Sequence, residues 1–580
     1  MCSIIGYKGS RRASDIIVDA LRIMEYRGYD SVGVATLADK KILVRKGVGK
    51  VDEVVARLDI PSLDGKIGIG HTRWATHGAV TDYNAHPHTA CNREIAIVHN
   101  GKIDNYEELR SMLIARGHKF NSDTDSEVIA HLLEENLKHK GLKDALIETC
   151  RSLDGSYAFV AMINDGIVGA RRDEPLIIGI GNNNEYYLAS DVLAFIKYTD
   201  KAIFLDNNEV AIIIDDRLSI YDLDGKQVRR GVTQIAWEFA DVDKGKYAHY
   251  TLKEINEQLE TIPRVFNHNY RFDEFIDAIK GASKLVMVAS GSSYNASLLA
   301  KMLLNRSSIE CEVITASESQ YYRHMLKDTV LAVSQSGETK DVLRAVTYAK
   351  ENGAKILSIV NVTTSSLARM SDISLSINCG PEIGVAATKS FTAQLALFYR
   401  LADAISNSKS NDHKRYDLLR DAVEHALSLE LEDIAEEIKG TNDIYILARS
   451  IHYPIALEGA LKIKELAYIH AEGMQAGEFR HGPLALIDDT CVVIVINPRD
   501  ETFKDTISNV MEIKARKGKV IGISDVESEV YDYNIKIPSV DGFYPLIEVI
   551  PLQLLAYHLA VKRNYNPDYP RNLAKSITVD

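Results

Sequence analysis

SKLVMVASGSSYNASLLAKMLL at residues 283–304 reads as a short β-branched run, a hydroxyl-rich turn and a helix, and NDIYILARSIHYPIALEGALKI at 442–463 repeats that order. The next units match as well. TVLAVSQSGETKDVLRAVTYAKENGAKILSIV at 329–360 and CVVIVINPRDETFKDTISNVMEIKARKGKVIGIS at 491–524 both read strand, loop, helix, strand. The offset is about 160 residues, a period that points to duplication of a whole domain. Strands alternating with helices predict a parallel sheet covered by crossover helices. Two tandem, doubly wound α/β domains are therefore expected, at 272–412 and 413–565, with a helical stretch from Lys414 to Ile438 as a spacer or a brace packed across both.

Upstream, residues 1–235 read as an α+β domain of many strands and few helices, the clearest helices being Ile16 to Arg27 and Asp125 to Leu137. A charged, polar linker or docking segment fills 236–271, with a short amphipathic helix expected to end before Pro263. Residues 566–580 form a terminal tail in which NLAKSITV is unusually apolar for a frayed end, so it is expected to fold over a pocket.

The 580 residues are 46% hydrophobic and 26% charged, enough to bury several cores and unlike a disordered chain. With 68 basic against 81 acidic side chains, the net charge of -13 and the lack of a long Lys/Arg block argue against nucleic acid as a partner. The six Cys show no CxxC pair or regular spacing, so neither a disulfide framework nor a cysteine zinc site is suggested. No signal peptide is visible and no stretch of 18 uninterrupted apolar residues occurs, so a soluble, cytoplasmic protein without membrane contact is expected.

Four N-terminal segments carry chemistry. If Met1 is removed, Cys2 joins a thiol to a free α-amine of pKa about 8, a built-in general base for amide hydrolysis. HTRWATHG at 71–78 gathers His71, Arg73, Trp74, Thr76 and His77 in a loop at a strand end. HNGKIDN at 99–105 offers Asn100 and the N–H of Gly101 to a developing oxyanion. SDTDSEV at 122–128 opens a helix, and its Asp125 either meets a substrate ammonium group or is a helix-start residue.

Together these segments resemble the class II glutamine amidotransferase domain, an N-terminal-nucleophile glutaminase with an αββα sandwich. The resemblance implies that Cys2 is the nucleophile, that Arg73 binds the glutamine carboxylate, that Asn100 and Gly101 form the oxyanion hole, that Asp125 takes the amino group, and that Trp74 and His77 belong to a closing loop. One departure is Ser3, where the family usually has Gly; its hydroxymethyl adds bulk beside the nucleophile.

In the repeats, SQSGET at 334–339 sits between a strand and a helix, where Ser334, Gln335, Ser336, Thr339 and loop N–H groups form a nest of donors suited to a phosphate monoester. Ser290, Gly291, Ser292 and Ser293 occupy a comparable turn. Neither GxGxxG nor GxxxxGK[ST] is present in these turns, which disfavours a dinucleotide or nucleoside triphosphate. In the second repeat, Glu458, Lys462 and Glu465 share one helical face inside an apolar surrounding, as charges lining a cavity would, and HGP at 481–483 places His481 in a turn.

GSSYN, SQSGET, EIGVAATK, ALEGALKIKE, HGPLALI and PRNLAKSITVD resemble, in order, the paired sugar isomerase (SIS) domains of the glutamine:fructose-6-phosphate aminotransferase (isomerising) family. The resemblance spans essentially the full chain. It implies conversion of fructose 6-phosphate and glutamine to glucosamine 6-phosphate and glutamate, the first step toward UDP-N-acetylglucosamine. Ser293, Ser334, Gln335, Ser336 and Thr339 would hold the sugar phosphate, and Val385 would touch substrate by its backbone. Lys575 would form the Schiff base, Glu465 would move the proton between C1 and C2, His481 would assist ring opening, and Glu458 and Lys462 would complete the polar shell. An apolar ammonia passage gated by Trp74 and a homodimer are implied as well, with no cofactor and no metal required. The weighed alternatives are a related aminotransferase or deaminase on another sugar phosphate and a non-catalytic sugar-phosphate regulator. An amidophosphoribosyl enzyme lacks its phosphoribosyl-pyrophosphate loop here.

Overall fold

The computed structural model describes residues 2–75, 77–163, 166–235, 237, 239–267, 271–406, 412–540 and 542–575. Its contacts divide the chain into two compact units, one formed by residues 1–243 with the terminal segment from Ala574, the other by Lys244–Leu573.

The N-terminal unit is a four-layer αββα sandwich. Eight strands form one sheet and seven the other. Ile4, Ile69, Val98, Val160, Ile178, Leu188 and Ala211 pack together between them as one apolar layer. Strand alternation delivers this layer, because every second side chain of each sheet faces its partner sheet. Helix Ala13–Ile23 covers the outer face of the first sheet, lying so close to the strand Ile67–Arg73 that a Cβ at Gly70 would meet Ile17 Cγ2 at 2.2 Å. Helices Tyr106–Ala115, Glu127–Leu137 and Leu142–Ser152 cover the second. The first and third of these, and the short helix Val51–Arg57, escape the sequence reading of two helices. All three, YEELRSMLIA, LKDALIETCRS and VDEVVAR, are rich in charged and polar residues, which thins the apolar stripe that marks a helix.

The C-terminal unit contains two five-stranded sheets whose paired strands are parallel throughout. Counted along each repeat, both have the order 2-1-3-4-5. The duplication read from the sequence is therefore a duplication of topology. Strands such as LVMVA and VVIVI are buried along their whole length, as parallel strands with both faces covered must be. In this order the chain turns to opposite sides after strands 1 and 3, and the crevice between their C-terminal ends is the ligand position. One continuous core joins both repeats.

The segment read as a linker packs into this unit from Lys244 onward. Ile255, Ile262, Val265 and Phe266 enter the common core, Gln258 Nε2 donates to Gln553 Oε1 at 2.8 Å, and Asp568 accepts from the N–H groups of Tyr250 and Thr251. Pro263 lies inside helix Gln258–Asn267 rather than ending it. Burial of Ile262, Val265 and Phe266 on either side offsets the one backbone hydrogen bond that proline removes. The helical stretch from Lys414 to Ile438 consists of two helices, Asp412–Leu427 and Glu432–Ile438. Helix Tyr544–Lys562 is long and apolar enough by length and composition to cross a membrane, but 89% of that stretch is buried within the unit, so it is a core helix here.

Candidate functional site

The strand Ser3–Lys8 is an interior strand of the first sheet, and its partner Ile67–Arg73 places Ser3 opposite Thr72. Cys2, one residue earlier, therefore meets the segment that leaves the partner strand. Trp74 N donates to Cys2 Sγ at 3.2 Å. Asn100, from the second sheet, donates through Nδ2 to Cys2 O at 2.9 Å. Burial pushes the Cys2 thiol pKa up, against the lowering effect of the chain terminus, the Trp74 N–H and the Arg73 guanidinium. Ser3 is fully buried and its hydroxyl donates to Met24 O at 3.0 Å, so the hydroxymethyl that departs from the family pattern is accommodated in the strand's own packing.

Arg73 organises the loop that follows it. Its Nη1 donates to Ala79 O at 3.1 Å and its Nη2 to the carbonyls of His77 and Gly78. Asp30 anchors the loop from the other side by accepting from Ala75 N at 2.8 Å. Trp74 stands edge-on to Tyr29 and His77 edge-on to Tyr106. Thr76 lies outside the described residues. Asp125 is buried, and its Oδ2 accepts from Ile103 N at 2.8 Å, which ties it to the strand that carries Asn100 and Gly101. Gly101 adopts φ +112°, and a Cβ there would meet Ser156 O at 2.1 Å, so only glycine fits.

His71 is not a loop residue. It is buried in its strand, stacks on His86 at 4.0 Å and contacts His99 O through Nε2 at 2.9 Å. Burial lowers its pKa to about 3 and keeps the ring neutral, as befits a packing residue beneath the site.

In the C-terminal unit, the switch-point crevice of the first repeat is walled by the turns after strands Leu285–Ala289 and Thr329–Ser334. Both hydroxyl-rich turns singled out from the sequence sit there. Ser334 Oγ lies 3.1 Å from Thr339 Oγ1 and accepts from Gly337 N, while Ser336 Oγ accepts from Glu338 N. Gly337 adopts φ +66°. Asn361 N bonds Gln335 O at 3.0 Å, holding the turn against the adjacent strand. Ser293, in the first turn of helix Gly291–Arg306, is held by Gln394 Nε2 at 3.0 Å.

Glu458, Lys462 and Glu465 lie on helix Tyr453–Ala467 as expected, and they are a buried network rather than a solvated ladder. Lys462 Nζ reaches Glu465 Oε2 at 2.6 Å and Glu458 Oε1 at 3.3 Å. Glu458 in turn accepts from Ser292 Oγ at 2.8 Å and Asn295 Nδ2 at 2.9 Å, so the second repeat's helix is bound to the helix that opens the first repeat's crevice. Burial alone would depress Lys462, but the two carboxylates outweigh it and raise its pKa; Glu458 is raised by burial.

Three expected residues stand apart. Val385 spends its N–H on Asp568 O at 3.3 Å. His481 lies exposed on the short turn Glu478–His481, with no hydrogen bond to the Glu458–Lys462–Glu465 network among the described residues. Lys575 is half-buried and grouped by its contacts with the N-terminal unit. Residues 576–580 of the expected tail lie outside the described residues.

Two features escaped the sequence reading. In the second repeat a buried histidine links the turns after strands 1 and 3: His452 bonds Glu548 Oε2 at 2.9 Å and Asp500 Oδ2 at 2.7 Å, and although burial opposes its charge these carboxylates lift its pKa to about 10. INPRDE has thus exchanged hydroxyls for a carboxylate that satisfies the chain's own histidine. The second feature is a cluster of Cys91, His118, His131 and Glu134 in the N-terminal unit. Neither has a sequence spacing that would reveal it.

The chain matches the glutamine amidotransferase domain over residues 71–197 and the SIS domain twice, over 278–404 and 437–563. It is 44% identical to the glutamine–fructose-6-phosphate aminotransferase (isomerising) of Pyrococcus horikoshii and 43% identical to that of Aquifex aeolicus, each comparison covering 100% of both chains. The chain belongs to this family. A solved structure, the C-terminal domain of glucosamine-fructose-6-phosphate aminotransferase from Francisella tularensis, aligns with a TM-score of 0.52 at 34% identity, covering 56% of this chain and 99% of that one. The family thus accounts for a glutamine amidotransferase sandwich and a doubled SIS fold in one polypeptide.

Proposed function

We propose that the chain converts D-fructose 6-phosphate and L-glutamine to D-glucosamine 6-phosphate and L-glutamate. The observation that carries this reading is the presence, in one chain similar over its full length to such aminotransferases, of a strand-end thiol with an amide donor and a hydroxyl nest at a parallel-sheet switch point.

Removal of Met1 frees the Cys2 amine to take the thiol proton, and the thiolate attacks the glutamine amide. Asn100 and the Gly101 N–H stabilise the oxyanion, Arg73 meets the substrate carboxylate and Asp125 the ammonium group. Ammonia leaves, and water resolves the thioester to glutamate. At the sugar site the first repeat's hydroxyls and N–H groups hold the phosphate. Lys575 forms an imine with the C2 carbonyl, ammonia displaces it there, and Glu465 carries the proton from C1 to C2. Lys462 holds the Glu465 carboxylate for that transfer, and Glu458 holds Lys462. We further propose a cytoplasmic homodimer in which His481 assists ring opening at the neighbour's site; its exposure on the single chain supports that placement.

A paired assay tests the reading. Glutamate and hexosamine phosphate should form in matched amounts when fructose 6-phosphate is present. Glutamate without amino sugar would sink it.

A further inference from the structure

Cys91, His118, His131 and Glu134 come from three separate places in the N-terminal unit. Cys91 lies in the turn between strands His88–Thr89 and Ile95–Ile103, His118 follows helix Tyr106–Ala115, and His131 and Glu134 sit on helix Glu127–Leu137. One donor atom from each lies within 4.8 Å of all the others. We propose that these four residues bind a structural zinc ion.

The distances are those of a tetrahedron's edges. His118 Nδ1 and His131 Nδ1 are 3.3 Å apart, Cys91 Sγ lies 3.8 and 3.5 Å from them, and Glu134 Oε2 lies 3.0 and 3.8 Å from them. Bonds of about 2.0–2.1 Å to nitrogen and about 2.3 Å to sulfur in tetrahedral geometry require edges of about 3.3 Å between nitrogens and about 3.6 Å between sulfur and nitrogen.

A carboxylate lies beyond each ring. His118 Nε2 lies 3.1 Å from Glu135 Oε2, and His131 Nε2 lies 3.4 Å from Glu127 Oε1. With a cation at the centre, each ring would carry its proton on Nε2 toward that carboxylate and turn its Nδ1 lone pair inward; without one, a proton on His118 Nδ1 would be donated to Glu134 Oε2 at 3.0 Å. Cys91 Sγ accepts from Lys119 N at 3.3 Å. One thiolate, two imidazoles and one carboxylate suit zinc, whereas magnesium and calcium call for an all-oxygen set. Four protein ligands close the coordination shell, the mark of a structural site rather than a catalytic one.

The site would staple the β-turn to the helix. The strand beyond Cys91 runs on to Asn100 and Gly101, and the helix begins two residues after Asp125. Zinc would therefore brace both flanks of the glutamine site without touching substrate. An open cavity of about 720 Å³ borders Cys91, His118 and Glu134 and supplies an entry path.

The test uses the full chain in a Cys2→Ala background, so that the N-terminal thiol cannot compete. After incubation with zinc and removal of excess, elemental analysis should find one zinc per chain. Cobalt in its place should show a near-ultraviolet thiolate charge-transfer band. Cys91→Ser, at an exposed position that does not threaten folding, should abolish that band, and Cys91→Ser with His131→Gln should lose the metal. Failure of the parent to retain zinc would overturn the proposal. Undiminished metal and charge-transfer band in both variants would overturn it as well.

Discussion

Lys462 Nζ sits 2.6 Å from Glu465 Oε2 on the face of a helix where Lys462 is 1% exposed, so the carboxylate proposed to move the sugar proton is held by a buried cation. Removing that cation takes from the fully buried Glu458 the ammonium that pairs with it. Lys462→Met should destabilise the C-terminal unit by about 3–5 kcal/mol, less whatever protonation of Glu458 recovers. Urea denaturation followed by tryptophan-independent circular dichroism measures this. Glu465→Gln, at the more exposed end of the network, should fold normally yet lose amino sugar formation.

Cys2→Ala should remove glutamine hydrolysis and leave synthesis from added ammonia, because the sugar site uses the nucleophile and not its source. Burial holds the Cys2 thiol above its ordinary value. Its alkylation by iodoacetamide should accordingly climb about tenfold per pH unit through neutrality, since the thiolate is the minor form there. A plateau near pH 7 would contradict the burial argument.

His452 is raised to about 10 between Glu548 and Asp500. A histidine whose folded pKa exceeds its unfolded value of about 6.5 contributes stability that is complete below that value and is lost as pH rises to the folded pKa. Stability of the chain should fall between about pH 6.5 and 10. In His452→Ala that dependence should flatten, with a loss of about 3–5 kcal/mol at neutral pH from the carboxylate left buried. Denaturation midpoints at three pH values for both proteins decide it.

Gly337 combines φ +66° with a position where a Cβ would meet Ser365 Oγ at 2.1 Å. Gly337→Ala should cost about 1–3 kcal/mol through backbone strain and displace the phosphate turn. The expected kinetic signature is a higher KM for fructose 6-phosphate with unchanged glutaminase activity. A lower kcat at unchanged KM would mean that the turn does not hold the phosphate.

Lys575→Met should abolish hexosamine phosphate formation while glutamate release persists. Continued synthesis at the wild-type rate would remove the tail from the proposed mechanism.

Local patterns made much of this legible. Alternating strands, buried β-branched runs and hydroxyl turns lie within a few residues of one another, so the doubled α/β fold, the strand-rich N-terminal domain and the turns at Ser334 and Ser293 could be read along the chain, while the sandwich came from the resemblance of its motifs to a known family. The same was true of Glu458, Lys462 and Glu465, whose spacing puts them on one helical face whatever surrounds them. His71 was read as a loop ligand because its strand continues further than its apolar run.

Sequence alone therefore determined the repeated strand–helix order of the C-terminal half, much of the N-terminal strand pattern and which residue types cap the functional turns, because those depend on neighbours in the chain. Only the tertiary structure decided that Glu458 is paired across repeats with Ser292 and Asn295, that His452 meets Glu548 and Asp500, and that Cys91 meets His118, His131 and Glu134. These depend on which distant loops arrive at the same point, and packing of whole sheets and helices, not spacing, sets that.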